Sequence, residues 1–230
     1  MIPSSNEHLA YRLGLTGVAG WLAAWAYLPE GVFSGPHDTI SFYLPGTVFG
    51  LLVLVPLLED PARHWVRSAI LLCTATLAHW ALWATGFAMY GVLENVQLEE
   101  SISETGAIIV LGGPAGLVFG LMVTLAAART MNIQFEWYNW IAVALLSCLS
   151  GTLYAGILLD QWKFLEDMLF ISVINDFNVH VAYMVSYLVY AMVFTLGKQR
   201  PLAKPTKLDM ILVGGLVLLT SLSVAWFSMM

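Results

Sequence analysis

The chain has 230 residues, of which 59% are hydrophobic and 10% charged, with a net charge of -6 and a mean hydropathy of +0.79. Soluble domains carry about 25% charged residues, so this composition excludes an ordinary soluble enzyme and points to lipid as the solvent. The acidic balance supplies no basic surface for nucleic acid, and no nucleic-acid partner is expected.

Seven apolar stretches of spanning length occur in order over residues 10–28, 40–58, 67–91, 106–128, 138–159, 168–196 and 209–228. The expected fold is therefore all-α: a polytopic membrane bundle of seven transmembrane helices, with residues 1–230 as one domain. The connections, roughly 8 to 14 residues long, are too short for a separate soluble catalytic domain. Any site must be built within the bundle or at its rims.

The first stretch follows a polar segment with one early Arg12, and Ala24-Trp25-Ala26 loosely resembles a signal-peptidase site. With Met1 at the start of the chain, a retained first helix is the expectation. In the second stretch, Gly46-Thr-Val-Phe-Gly-Leu-Leu-Val53 echoes Gly116-Leu-Val-Phe-Gly-Leu-Met-Val123 of the fourth at six of eight positions. Gly46 and Gly50, like Gly116 and Gly120, are four apart, which makes a flat strip where a neighbouring backbone can approach closely. A repeat of two-helix units at an offset of 70 residues and a coincidence of packing motifs are both open. Pro45, Pro56 and Pro114 are expected to shape their helices, and Gly112-Gly113-Pro114 reads as a loosened turn in the fourth.

The third stretch presents Thr76, His79, Trp83, Gly86 and Tyr90 on one face. The fifth opens with Trp137, Tyr138 and Trp140, which suit an interfacial belt, and then carries Ser147, Ser150, Gly151 and Tyr154. Cys73 and Cys148 fall inside predicted helices and read as small packing residues.

The sixth stretch is the most informative. Ser172, Asp176, His180, Tyr183, Tyr187 and Tyr190 fall within an arc of roughly 80° and run about 27 Å along a helix. A stripe of that kind is costly against lipid, so it should face the interior, a water-filled path or a partner helix. Asp176 and His180 are one turn apart and could act as a protonatable pair or a cation site, although a helix starting near Val179 would put Asp176 at the outer rim. The polar faces of stretches three, five and six are expected to converge, with His79 and His180 at similar depth.

The last stretch contains no lysine, and Lys207 lies only at its edge, which argues against a retinal Schiff base of the microbial-rhodopsin kind. Cys148-Leu-Ser-Gly151 lacks the first glycine of the rhomboid protease nucleophile motif. No family is identified on these residues.

Placing the N-terminus in the cytoplasm puts Arg12, Arg63, Arg67, Arg129, Lys198, Arg200, Lys204 and Lys207 inside and only Lys163 outside. The C-terminus is then outside, and a bacterial cytoplasmic (inner) membrane is the simplest location. Glu30, Asp38, Glu94, Glu99, Glu100, Glu104, Asp160, Glu166 and Asp167 collect at the outer flanks, either as solvated loops or as a cation-concentrating vestibule.

Two functions fit these features. One is a channel or secondary transporter for protons, a cation or a small polar solute, its path lined by Ser172, Asp176, His180, Tyr183, Tyr187, Tyr190 and His79. The other is a non-catalytic subunit or assembly factor of a membrane complex, with the stripe and glycine strips contacting partner helices. Enzymatic activity is left open and not favoured, because no acid, base and nucleophile converge in the pattern. No cofactor is predicted. A metal bound by Asp176 and His180 with His37, Asp38, Glu104 or His79, and a haem between His79 and His180, are minor alternatives. The expected partners are the bilayer and either further copies of the chain or the subunits of a complex.

Overall fold

The computed structural model describes residues 16–23, 38–58, 61–95, 103–158, 177–193, 198–199 and 205–227. Among these residues there are seven helical segments. They are α1 (residues 16–23), α2 (Asp38–Phe49), α3 (Trp65–Asn95), α4 (Glu104–Thr130), α5 (Trp137–Leu158), α6 (Phe177–Val193) and α7 (Lys207–Phe227). A two-residue antiparallel pair joins β1 (Ile133–Gln134) to β2 (Lys198–Gln199).

Trp65–Asn95, Thr105–Thr130 and Trp137–Gly156 are each long and apolar enough to cross a membrane. At 1.5 Å per residue, the 31 residues of α3 reach about 46 Å, so its ends pass beyond a hydrocarbon core of roughly 30 Å. The outward surface is as apolar as the interior: Ile109, Leu125, Ile141, Leu145, Ile211 and Leu218 are all more than half exposed. Such a surface would be an aggregation liability in water and is the expected one in a bilayer. The predicted spans 40–58, 67–91, 106–128, 138–159 and 209–228 coincide with helices to within four residues at each end. Parts of 10–28 and 168–196 lie outside the described residues.

Local chemistry sets the helix ends. Ser103 caps α4 by accepting the Gly106 N–H at 3.2 Å. Thr206 and Asp209 exchange backbone-to-side-chain hydrogen bonds at the start of α7, a reciprocal cap, and Asp209 also pairs with Arg129 at 3.0 Å. After α4, Asn132 takes a positive φ of 54°, which a short amide side chain tolerates, and turns the chain into β1. The β1–β2 pair places the α4–α5 and α6–α7 connections at one end of the bundle.

α4 is the hub, packed against α3 on one side and α5 on the other. α2 and α7 pack on α3, and α6 packs on α5. Glycines permit the closest approaches. A Cβ on Gly46 would meet the Ala75 carbonyl and lie 2.7 Å from the His79 Cβ, and one on Gly50 would lie 3.1 Å from the Leu72 Cα. Gly116 and Gly112 of α4 meet Gly151 of α5, and Gly20 of α1 meets the Met184 backbone of α6.

The two echoed segments converge in the core, where Phe49 and Phe119 sit 5.8 Å apart with both rings buried. Their backbones differ, however. After Pro45, α2 passes into a π-helical stretch, Gly50–Leu54, and a 3-10 turn, Val55–Leu57, with Pro56 near its start. α4 instead runs as one α-helix through Gly112, Gly113 and Pro114. The expected loosened turn is therefore absent. Gly112 is small because α5 crosses there, so the glycine serves packing.

Candidate functional site

Polar side chains of α3, α5 and α6 meet at the centre of the bundle. On α3, Thr76, His79 and Trp83 recur at three- and four-residue spacing, which puts them on one face, and His79 is 2% exposed. On α5, Ser150 and Tyr154 share a face, and on α6 Tyr183, Ser186 and Tyr187 do. All five are buried. In a hydrocarbon setting such groups must satisfy one another.

They do so as a linked series. The Tyr154 hydroxyl donates to the Tyr183 hydroxyl at 3.0 Å, and the Tyr183 hydroxyl lies 3.3 Å from His79 Nε2. Tyr154 and His79 thus meet on one hydroxyl, and which of Tyr183 and His79 donates in the second bond follows the imidazole tautomer. The His79 and Tyr183 rings stack at 5.8 Å, and Tyr154 meets Tyr183 edge-on at 5.1 Å.

Other bonds hold the frame. Ser150 Oγ donates to the Ser186 carbonyl at 3.2 Å and Ser186 Oγ donates to the Ser150 carbonyl at 3.4 Å, which clamps α5 to α6. Tyr187 donates to the Pro45 carbonyl at 2.7 Å, tying α6 to α2. Thr47 and Thr76 hydroxyls, 3.0 Å apart, tie α2 to α3.

Two cavities adjoin this series. A small one of about 10 Å³, at the lower limit of what a water needs, is bordered by His79, Tyr154, Tyr183 and Tyr187. A larger one of about 360 Å³ lies between α3 and α5 over α4, and Leu82, Gly151 and Tyr154 border both. Trp83 touches Tyr154 edge-on at 6.3 Å where the cavities adjoin.

Of the residues expected to line a path, the structure brings together His79, Tyr183 and Tyr187. His180 and Tyr190 belong to α6, but their side chains are outside the described set, and Ser172 and Asp176 lie outside the described residues altogether. Tyr90 is half exposed at the mouth of the larger cavity. Gly46 and Gly50 face α3, and Gly116 faces α5 together with Gly112; Gly120 is buried. Ser186 and the Pro45 carbonyl were missed by the sequence pattern. Ser186 lies three residues from Tyr183 and so at the edge of the same face, which is the signal that could have found it. Among the described residues no group of three or more His, Cys, Asp or Glu side chains converges on a common point. The imidazole and three phenols can accept or pass a hydrogen bond, whereas the larger cavity, which Tyr154 also borders, has an almost wholly apolar lining.

No protein-family model matches the chain, and no solved structure matches it. Over 181 residues, 79% of its length, it is 26% identical to a Caenorhabditis elegans protein named "Putative transporter". The matched region is 32% of that protein, so the chain spans about a third of the length of its relative.

Proposed function

We propose that the protein is a membrane transporter that moves a small solute through the interior bounded by α3, α5 and α6. The observation that carries this reading is the buried Tyr154–Tyr183–His79 series beside a cavity, set among helices long enough to cross a bilayer. The likeness to the nematode protein supports the same class. A purely structural bundle has no need of an imidazole and hydrogen-bonded phenols at mid-depth next to unfilled space.

In this reading Ser172, Asp176, His180 and Tyr190 extend the path along the sixth helix, and Asp176 with His180 supplies the charge that protons or a cation would need. The N-terminus faces the cytoplasm and the C-terminus the outside, in a seven-helix bundle of a bacterial-type inner membrane, as the partition of basic residues favours.

Reconstitution in liposomes tests the proposal, with an entrapped pH dye and a cation dye reporting flux. Asp176→Asn and His79→Ala are expected to lower flux at least tenfold while the purified proteins remain monodisperse. Wild-type flux in both variants would overturn the assignment of the path. A second reading, a subunit of a larger complex, is favoured by α7, where Gly214 and Gly215 form a small-residue spot with no described atom within 4 Å of an added Cβ. Co-purification of a stoichiometric partner, with no flux by the chain alone, would select it.

A further inference from the structure

The helices around the polar centre meet along two kinds of seam. Glycines bring the backbones of α2 and α3, and of α4 and α5, into close contact, and the Ser150 and Ser186 hydroxyls clamp α5 to α6 through each other's carbonyls. α6 meets α2 and α3 differently. Among the described helices it packs closely on α5 and, at Gly20, on α1, but it reaches α2 and α3 through the long side chains of Tyr183 and Tyr187. Tyr187 donates to the Pro45 carbonyl at 2.7 Å with its ring against Phe49, and the Tyr183 hydroxyl lies 3.3 Å from His79 Nε2. A phenol at the tip of a side chain can exchange such a partner for water at small net cost. Parting a glycine seam instead forfeits dispersion along two whole backbones.

The wall that Tyr187 latches onto is also the irregular one. Pro45 has no N–H to give the preceding turn, and just after Phe49 the helix passes into the π-helical stretch Gly50–Leu54 and the 3-10 turn Val55–Leu57. Segments of this kind change backbone pairing more readily than an unbroken α-helix, and π-helical turns recur at functional sites. Behind the seam lies the small cavity bordered by His79, Phe119, Tyr183 and Tyr187, with room for no more than one water. The rings of Phe49, Phe119 and Tyr187 pack together beside it, all buried. Nothing larger than water fits next to His79 until these side chains part.

We infer that the seam between α6 and the α2–α3 pair is the gate of the transport path, seen here closed. Tyr187 and Tyr183 are its latches, Phe49 and Phe119 its apolar seal, and residues 45–57 the part of the wall that yields. Opening admits water and solute to His79 while the serine clamp keeps α6 on α5. This inference rests on the transporter reading and adds to it the place where the bundle opens.

Thiol accessibility tests it. The full chain in phosphatidylcholine nanodiscs carries Cys73→Ala, Cys148→Ala and Ser186→Cys, which puts a thiol on the wall of the small cavity and leaves the Ser150 bond to the residue 186 carbonyl in place. The probe is a charged, water-soluble methanethiosulfonate, and the labelling rate is read by mass spectrometry. It should be at least a hundredfold slower than at Lys207→Cys, an exposed position. Tyr187→Phe and Tyr183→Phe keep the rings, remove the latching hydroxyls and should each raise the rate at least tenfold. Thr47→Val removes a hydroxyl bond of the same kind between α2 and α3 and should change the rate by less than twofold, which separates unlatching from a general loss of stability. Rates unchanged within twofold in both tyrosine variants, equal acceleration in Thr47→Val, or labelling of the parent as fast as at Lys207→Cys overturns the gate. Proton or cation flux in liposomes, by a protein whose labelling neither tyrosine variant alters, overturns the gate alone. Latch-dependent labelling in a protein that carries neither flux keeps the opening seam and overturns the transporter reading.

Discussion

Replacing Gly151 by Ala tests whether the α4–α5 contact holds the site together. A Cβ at Gly151 would press on the Gly112 carbonyl and lie 2.5 Å from the Gly116 Cα and 2.6 Å from its nitrogen. Favourable carbon contacts lie near 3.5–4.0 Å, so the two backbones must part by about 1 Å, which forfeits much of the dispersion energy along the strip. Overpacking of this kind costs about 1–3 kcal/mol, and the better helix propensity of Ala returns at most about 1 kcal/mol. A net loss of about 1–2 kcal/mol is expected, with Tm falling by about 2–8 °C in a chain of this size. Thermal unfolding in mild detergent, followed by tryptophan fluorescence, measures it against Gly86→Ala. That control adds the same methyl where no described atom lies within 4 Å and should leave Tm unchanged or raise it by up to about 4 °C. If the two variants melt together, the close approach of α4 and α5 is not what stabilises the bundle.

Three further outcomes follow from single groups. Tyr187→Phe keeps the ring against Phe49, 4.6 Å away, and removes the bond to the Pro45 carbonyl, so stability should fall by about 1 kcal/mol, measured by the same melting assay. Ser147 is fully buried and its hydroxyl has no hydrogen-bond partner among the described residues; Ser147→Ala should therefore be neutral or stabilising by up to about 1 kcal/mol, and a drop in Tm would show that the hydroxyl is engaged. Arg129→Ala removes a half-exposed partner of Asp209 and should cost less than about 1 kcal/mol, with the difference from wild type shrinking as salt rises.

Much of the fold is written in the apolar runs, because only a helix satisfies its own backbone in lipid and its length is bounded by the bilayer. That is why the span edges read from hydropathy fall close to those of α3, α4, α5 and α7, and to those of α2 taken together with its π-helical and 3-10 continuation. Glycine identity is less legible. Gly112, Gly116 and Gly120 are spaced four apart on α4, and the spacing alone does not say which pair meets a neighbour. Gly112 and Gly116 meet Gly151 because α5 crosses at that level, and a crossing point is a property of two helices together. The echoed segments make the same point. Near-identical sequences form a π-helical stretch after Pro45 in α2 and an unbroken α-helix in α4, since helix–helix packing decides between backbones of similar energy.

The candidate site divides in the same way. Polar residues recurring every three or four positions on His79's helix and on Tyr183's helix point inward because lipid will not hold them, so their burial can be argued from periodicity. Which partner each one finds cannot. Tyr154 reaches Tyr183, Tyr187 reaches past it to Pro45, and Ser150 and Ser186 clamp each other's carbonyls, all from the rotation and offset of helices distant in sequence. The cavity is still less legible, because its walls are Leu, Phe, Ala and Gly, which elsewhere would simply be core. It exists because α3 and α5 both pack on α4 and leave space between them, with Gly86 leaving one wall thin. The same glycine-tight crossing of α4 and α5 that sets Tyr154 against Tyr183 also sets the floor of the cavity. A change that spreads α4 from α5 should therefore weaken the hydrogen-bonded series and reshape the apolar space together, whereas Gly86→Leu should fill the space and leave the series intact.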